Sequence, residues 1–428
     1  MKRSETFRHW IIIFCLIFGG EMIFGLPFHL PRFFRPTLLH ALNMNNTELG
    51  DTMSVYGIMA MLSYFPGGIL ADRFSARKLM SLSQFATGLG GIYMMTLPGK
   101  TGLTILYGYW GITTIFLFWA GMLKATRIWG GKFRQGQAFG ILEAGRGMMA
   151  AGAASLGVVV LGFILPATVT DATFSDRQSA MRWVTGLYAL LAMLAAVFTW
   201  FTVPDTKAKQ TEKKKYNFSE LIQVLKSRVV WLQALIVIFA YCGFKAIDFY
   251  TLYCAGPLGM DEVAAAAFVS QMAYIRIGAA VLAGLLADRF SGSRVIVWLF
   301  SILFIVFTIL QLANPGVNTG ILIFTSLIIS MIAVYALRGV YFAMMEETGI
   351  RRHLTGTAIG VISVIGFTPD VFFYPLAGRI IDRDPGLPGF QNMFLLLSLI
   401  SLAGMATAIF LTWLKNRTNE PDAETTER

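Results

Sequence analysis

Charged side chains are scarce in this sequence. Asp, Glu, Lys and Arg together make up 14% of its 428 residues, whereas a soluble protein carries roughly a quarter. Hydrophobic residues make up 56% of the chain, and its mean hydropathy is +0.63. The deficit of charge excludes an ordinary soluble protein and is what many membrane-spanning helices would produce.

Residues that bind metals or perform covalent chemistry are also few. Cys15, Cys242 and Cys254 lie in or beside apolar runs without metal-like spacing, so they predict no disulfide framework. The four histidines do not cluster, and we find no nucleophile–base pair or phosphate-binding loop. We therefore expect no metal, no cofactor and no enzymatic activity.

Most basic residues lie in the connections between the apolar runs. Although the formal net charge is +11, these residues are dispersed between apolar runs, which argues against a nucleic-acid surface and fits the rule that basic loops stay in the cytoplasm. The richer connections hold Lys2, Arg3 and Arg8; Arg73, Arg77 and Lys78; Arg127, Lys132 and Arg134; the central lysines; Arg289 and Arg294; Arg351 and Arg352; and Lys415 and Arg417. The sparser connections include Arg32 and Arg35. We therefore predict a monomeric integral protein of a bacterial-type inner membrane, with both termini cytoplasmic.

Twelve apolar runs reach the length of about 20 residues that a helix needs to cross a lipid bilayer. The first run contains Glu21, is too long for a signal peptide and precedes no small-residue cleavage site, so we interpret it as a span. The predicted spans are Trp10–Leu30, Thr47–Ala71, Leu79–Pro98, Gly102–Leu123, Gly136–Leu165, Trp183–Val203, Val229–Cys254, Glu262–Ala287, Val295–Leu312, Gly320–Met345, Thr355–Ile380 and Pro388–Leu414.

One string of residues occurs twice. Gly68-Ile-Leu-Ala-Asp72-Arg73-Phe-Ser has a close copy in Gly284-Leu-Leu-Ala-Asp288-Arg289-Phe-Ser, and Asp288 follows Asp72 by 216 residues, about half the chain. A membrane chain with two similar halves is typical of a secondary transporter. The sequence therefore predicts an all-α membrane protein with twelve transmembrane helices in two pseudo-symmetric six-helix bundles. We expect the bundles over 1–203 and 229–415, a cytoplasmic linker with a short amphipathic helix over 204–228, and a disordered cytoplasmic tail over 416–428.

Charged residues inside the predicted spans are distributed unevenly. An ionisable group in the hydrocarbon core costs on the order of 3 kcal/mol, so one placed there usually faces a cavity or a partner. The third, sixth, ninth and twelfth predicted spans have no such residue in their interiors, as expected for four peripheral helices around eight that line a cavity. The interior charges are Glu21, Glu143, Arg146, Lys245, Asp248, Arg276, Arg338 and Asp370.

These charges provide the candidate site residues. Glu143 with Arg146, and Lys245 with Asp248, are three residues apart and share a helical face, so each pair either binds substrate or is a structural ion pair. We expect Arg146, Lys245, Arg276, Glu143, Phe24 and Tyr241 to bind the substrate. Glu21 has no local partner in its span, and an isolated, desolvated carboxylate can exchange a proton. We therefore predict proton coupling at Glu21, Asp248 and Asp370, the last following Pro369 where the helix could break.

The whole chain resembles the major facilitator superfamily. The family's loop motif, G-x-L-a-D-R-x-G-R-[RK], is matched by Gly68, Leu70, Asp72, Arg73, Arg77 and Lys78, with Ser75 and Ala76 as departures, and it recurs at Gly284, Asp288 and Arg289. The resemblance implies that these motif residues form a cytoplasmic latch that governs switching between states. The segment Trp129–Gly140 is similar to the organophosphate and anion-transporting branches, and it implies that Arg146 occupies a substrate-facing position.

Taken together, the residues and the resemblance predict a secondary active transporter. We expect it to move a small organic anion or zwitterion by alternating access, coupled to protons. An exporter of lipophilic or cationic compounds is the alternative, although the basic residues inside the spans would repel cations. A transporter-like membrane sensor is a further alternative, which the lack of an appended signalling domain disfavours.

Overall fold

The computed structural model describes residues 2–131, 135–166, 171–205, 218–316, 319–341 and 354–419. Every regular element in these ranges is a helix. Several predictions fall outside the described residues. They concern most of the central linker, the tail beyond residue 419, the residues Lys132, Arg134, Arg351 and Arg352, and the side chains of Lys415 and Arg417.

Each predicted span coincides with one helix or with a run of helices, which we number spans 1 to 12. Two shorter helices accompany them: Arg35–Leu42 follows span 1, and Phe218–Lys226 precedes span 7. In the described part of the chain the spans are Lys2–Met22 with Gly25–His29 and Leu30–Phe33; Asn46–Arg73; Ala76–Met94; Lys100–Gly111 with Ile112–Trp119 and Ala120–Gly130; Gln135–Ile164; Phe174–Thr202; Arg228–Ala246 with Ile247–Phe249 and Tyr250–Ala255; Glu262–Met272 with Ile275–Phe290; Gly292–Leu312; Gly320–Val340; Thr355–Gly366 with Pro369–Arg383; and Leu387–Asn419.

Ten of these runs are long and apolar enough to cross a membrane, and the bent pair in span 1 makes an eleventh among the described residues. Span 3 is the one of the twelve that does not meet this criterion, because polar side chains make it less apolar than the other spans. Ser83 donates a hydrogen bond to the Thr113 carbonyl at 2.6 Å, and the Thr87 hydroxyl donates to that of Thr113 at 2.8 Å. The polar side of span 3 therefore packs on span 4, and the predicted all-α membrane fold is confirmed.

Four breaks in the helices lie in spans that carry charges inside the membrane. Spans 1, 4, 7, 8 and 11 are interrupted; spans 1, 7, 8 and 11 hold Glu21, Asp248, Arg276 and Asp370, whereas span 4 has no charged residue in its predicted interior. Spans 3, 6, 9 and 12, which have no charged residue in their predicted interiors, are continuous helices. Irregular backbone within a membrane is tolerated where it is buried in protein or lines a cavity. The break between Gly366 and Pro369 is the one expected before Asp370.

The chain divides into two compact units. The first comprises Met1–Lys214, Ile247–Ile277 and Asp370–Phe390; the second comprises Lys215–Ala246, Gly278–Pro369 and Gln391–Arg428. The chain passes between the units at or near the breaks in spans 7, 8 and 11. The expected pair of bundles, 1–203 and 229–415, concerns the two halves of the sequence and stays a prediction.

Within the first unit, span 2 packs closely against the end of span 11. A Cβ atom on Gly50 would lie 2.5 Å from the Tyr374 carbonyl oxygen, and one on Gly57 would lie 2.6 Å from that of Asp370. Only glycine leaves room for backbones this close. The start of span 2 is fixed by Asp382, whose carboxylate accepts from the Thr47 amide at 2.6 Å and the Asn46 amide side chain at 3.0 Å.

Candidate functional site

A buried group of charged side chains surrounds Glu21 in the first unit. The Glu21 side chain lies 3.0 Å from Arg146 Nε, 3.7 Å from Arg276 Nη1 and 3.2 Å from His29 Nε2. Glu143 completes the group, since its two carboxylate oxygens lie 2.6 Å from Arg146 Nη1 and 3.0 Å from Arg276 Nη2. We call these five residues the Glu21 cluster. Spans 1, 5 and 8 contribute to it, and its two carboxylates balance its two guanidinium groups.

The backbone of span 1 makes this arrangement possible. Arg146 Nε donates to the Gly20 carbonyl at 3.1 Å, and a Cβ on Gly20 would lie 3.3 Å from Arg146 Cδ. His29 follows Glu21 by eight residues, which in a straight α-helix would separate them by about 12 Å along the axis. The 44° bend in span 1 and the π-helix Gly25–His29 bring the two side chains into contact. Such π-helical turns are frequent at functional sites.

The cluster agrees with some of the sequence-based expectations and corrects others. Glu143 and Arg146 form the predicted pair three residues apart, and Arg276 joins them. The expectation that Glu21 is isolated is wrong, because side chains from spans 5 and 8 and from the end of its own span reach it. The sequence interpretation also missed His29. A signal was present, because a histidine lies within an apolar run that also carries a lone carboxylate.

Aromatic rings border the Glu21 cluster. The predicted substrate-binding residue Phe24 lies with its ring centroid 5.5 Å from Arg146 Cζ, and the Trp119 ring is 5.8 Å from the same atom. The His29 ring stands edge-on between Phe33 and Tyr188, each at 5.5 Å between centroids. Because rings attract cations through their electron-rich faces, the border stabilises Arg146 in addition to its two carboxylates.

Asp248 lies in a second buried group of the first unit. Arg32 Nε donates to one carboxylate oxygen at 2.5 Å, and the Tyr374 hydroxyl donates to the other at 2.5 Å. The 3₁₀ turn Ile247–Phe249 interrupts span 7 here. The sequence interpretation considered Lys245 as the helical partner of Asp248, and it missed the pairing of Asp248 with Arg32. The two paired residues are 216 positions apart, which is also the offset between the two copies of the loop motif.

The ends of spans 1 and 8 are joined by further polar contacts within the first unit. Glu262 accepts from Arg177 Nε at 2.8 Å and from the Thr37 hydroxyl at 2.5 Å. Arg35 donates to Asn46 at 2.9 Å, and its Cζ lies 3.9 Å from the Phe249 ring centroid. Arg32 and Arg35, which the sequence interpretation placed in a connection between spans, are buried. Their charges are used for packing between helices.

The second unit has a different cationic group. Lys245 is 2% exposed, and its Nζ lies 4.9 Å from the Tyr241 ring centroid and 5.7 Å from that of Phe244. Arg338 Cζ lies 3.8 Å from the Phe244 ring centroid, and Phe367 packs on Tyr241 at 4.9 Å. We call Tyr241, Phe244, Lys245, Arg338 and Phe367 the Lys245 cluster. It contains the predicted substrate-binding residues Lys245 and Tyr241.

The repeated loop motif is mostly exposed. Asp72, Arg73 and Lys78 are exposed in the first copy, as are Asp288 and Arg289 in the second. Arg77 is partly buried and binds Asp205 at 2.8 Å. The Ser75 hydroxyl and the Arg77 guanidinium hold the pKa of the Asp205 carboxyl below its usual value.

The glycines of the motif are not close to other helices. A Cβ on Gly68 or on Gly284 would have no atom within 4 Å, whereas one on the neighbouring Gly67 would lie 2.8 Å from the Phe116 carbonyl oxygen. Of these three residues, Gly67 is therefore the one whose lack of a side chain lets spans 2 and 4 pack. The predicted role of the motif in switching stays a prediction.

A family model for the Major Facilitator Superfamily matches residues 9–373. The chain belongs to the major facilitator superfamily. Its relatives in this superfamily include the inner membrane protein YqcE of Escherichia coli K12, 28% identical over 424 residues that cover 97% of both chains. A Thermus thermophilus protein named "Probable nitrate/nitrite antiporter NarK1" is 24% identical over 442 residues, 94% of this chain and 89% of that one.

A solved structure agrees with this assignment at the level of the fold. The crystal structure of the nucleoside transporter NupG superposes with a TM-score of 0.68 at 12% identity, covering 94% of this chain and 97% of that one. As a major facilitator superfamily member with a transporter fold, the chain is an integral membrane transport protein and not an enzyme.

Proposed function

We propose that this protein is a secondary active transporter that moves a small organic anion or zwitterion across the cytoplasmic membrane by alternating access, coupled to protons. The observation that carries the proposal is the convergence of Arg146 and Arg276 on one buried cluster. The two arginines come from different halves of the sequence. A substrate held by both would therefore couple the two halves, as alternating access requires.

Glu143 is the group that a substrate anion can replace. Its side chain is 48% exposed, whereas those of Arg146 and Arg276 are 8% and 11% exposed. A carboxylate or phosphate entering from that side can accept the hydrogen bonds that Glu143 now accepts, and planar guanidinium groups bind such oxyanions in a bidentate manner. Glu21, buried behind the arginines, keeps part of their charge compensated when the substrate leaves.

The relative NarK1 supports an anionic cargo, because it is named a probable nitrate/nitrite antiporter. The buried lysine of the Lys245 cluster is the predicted substrate-binding cation of the second unit. The proposal has four further parts. They are proton coupling at Glu21, Asp248 and Asp370, a latch at the loop motif, cytoplasmic termini and a monomeric state. Each of these is an expectation from the sequence.

Uptake into proteoliposomes tests the proposal. We would offer radiolabelled nitrate, phosphate, glycerol 3-phosphate and lactate, with and without an inward pH gradient. We expect one of these anions to accumulate with the gradient, and we expect Arg276→Ala to reduce uptake by 10-fold or more, about 1.4 kcal/mol of lost stabilisation. Arg379→Ala is the matched control, because Arg379 is an exposed arginine of the same unit that pairs with Asp51 at 2.9 Å.

Three outcomes would contradict parts of the proposal. If the Arg276→Ala protein transports as fast as the Arg379→Ala protein, the substrate does not use the arginines of the Glu21 cluster. If no anion accumulates while lipophilic cations are expelled, the protein is an exporter of the alternative class. A Glu21→Gln variant that retains full gradient-driven uptake would remove Glu21 from the coupling mechanism.

A further inference from the structure

His29 is a buried ionisable residue in direct contact with the Glu21 cluster. It is 1% exposed, lies at the end of the π-helix Gly25–His29 and contacts Glu21 through Nε2 at 3.2 Å. Histidine is the side chain whose ordinary titration falls between about pH 5 and 8. It can therefore change the charge of the cluster at a pH where arginines and most carboxylates keep theirs.

The geometry decides which ring nitrogen takes up the proton. Nε2 faces a carboxylate that two arginines also contact, so Nε2 carries hydrogen and donates it to Glu21. In the neutral ring the lone pair then belongs to Nδ1. Nδ1 is buried and has no hydrogen-bond partner within the described residues. A second proton on the ring must therefore bind Nδ1.

We infer that His29 is a proton-carrying residue of the transporter, and that its protonation at Nδ1 makes the Glu21 cluster cationic and so admits the substrate anion. With neutral His29, the carboxylates of Glu21 and Glu143 balance Arg146 and Arg276. Imidazolium adds one positive charge beside Glu21 and draws that carboxylate away from Arg276, the more distant of its two arginines at 3.7 Å. Arg276 is then available to an anion in place of Glu143. This inference rests on the proposed function.

Other groups around His29 set the conditions for this change. Arg32, also on span 1, follows His29 by three residues and is held by Asp248, so its positive charge is compensated. Tyr188 from span 6 presents its ring edge-on to the imidazole and remains neutral at physiological pH. Arg146 and Arg276 oppose an added charge, whereas Glu21 favours it. The contact with Glu21 is therefore the one that makes the imidazolium form accessible.

The test needs no substrate. The sequence has four histidines, and the triple variant His9→Gln, His40→Gln, His353→Gln leaves His29 as the only one. ¹⁵N-histidine solid-state NMR of this protein in proteoliposomes reports the protonation of each ring nitrogen. At high pH we expect a pyrrole-type Nε2 and a pyridine-type Nδ1. As the pH is lowered, the Nδ1 signal should change to the pyrrole type.

A matched variant connects the titration with Glu21. Adding Glu21→Gln should move the midpoint of the Nδ1 titration to lower pH by about one unit or more, because the imidazolium loses its counter-charge. A ring that stays neutral from pH 4 to 9, or whose Nε2 is the nitrogen that gains the proton, overturns the inference. So does a midpoint that is the same in the Glu21→Gln variant as in the protein that retains Glu21.

A transport measurement separates this inference from the proposed function. With the anion of the panel that gives the fastest uptake, His29→Gln should abolish the acceleration by a pH gradient and should also slow anion exchange without a gradient, because its neutral side chain cannot make the cluster cationic. The matched variant at an exposed histidine, His40→Gln, should change neither rate. If His29→Gln protein still accelerates with the gradient, His29 is not the proton carrier although the transporter assignment stands. If no anion is transported while Nδ1 titrates as expected, the proposed cargo is wrong, and so is the inferred role of the proton in admitting an anion.

Discussion

Arg146 of the first unit and Arg338 of the second are both arginines next to aromatic rings, yet their surroundings differ. Arg146 binds Glu21 and Glu143 and has Phe24 and Trp119 at more than 5 Å. Arg338 lies 3.8 Å from the Phe244 ring centroid and 5.8 Å from that of Tyr241. A carboxylate neutralises a cation, whereas a ring attracts it and leaves its charge available. Among the described residues, Arg146 is therefore compensated by carboxylates, whereas Arg338 is supported by rings.

The largest effect should come from removing a buried carboxylate of the first unit. Asp248→Asn deprives Arg32 of its counter-charge, and breaking one partner of a buried pair costs about 3–5 kcal/mol. We expect a clear drop in the thermal unfolding midpoint of the detergent-purified protein. A midpoint equal to that of the wild type would show that the Arg32–Asp248 pair does not stabilise the first unit.

A charge exchange is the control for this variant. The double variant Arg32→Asp, Asp248→Arg restores a pair of opposite charges at the same two positions, and we expect it to recover part of the lost midpoint. Full recovery is not expected, because Tyr374 donates a hydrogen bond to Asp248 and an arginine cannot accept it. An exchange variant less stable than Asp248→Asn alone would show that geometry, and not charge balance, dominates at this contact.

A smaller effect should follow in the Lys245 cluster. Cation–ring attraction amounts to about 0.5–2 kcal/mol. A double-mutant cycle with Phe244→Leu and Arg338→Gln should yield a coupling energy in that range, measured from unfolding free energies. The cycle removes the packing loss that Phe244→Leu also causes. A coupling energy indistinguishable from zero would show that Arg338 gains nothing from the ring.

The smallest effect should occur at the exposed contact between Arg77 and Asp205. Exposed ion pairs contribute little, so Asp205→Asn should leave the thermal midpoint at neutral pH nearly unchanged. The pKa of Asp205 is lowered in the folded protein, so any stabilisation is present above about pH 4 and is lost as the pH falls through the lowered pKa. Melts of both proteins down to pH 3 would check this. A difference that grows on acidification would contradict the assigned sign.

The sequence predicted correctly those features that depend on residues of a single span. Apolar length located the helices, and the spacing of three residues predicted the Glu143–Arg146 contact. It failed where partners come from distant spans, so Glu21 was interpreted as isolated and the pairing of Asp248 with Arg32 was missed. Long-range pairing depends on the break in span 1 and the 3₁₀ turn in span 7, and no residue spacing reveals those. Arg32 was missed because its position near the end of a span looked like a connection.

The Arg32–Asp248 contact has a consequence for the order in which the chain folds. The two residues are 216 positions apart, so their ion pair closes a loop of about half the sequence. Bringing the ends of so long a loop together costs conformational entropy before the contact can form. The pair can therefore form only after span 7 has been synthesised, and until then Arg32 has no Asp248 to compensate its charge.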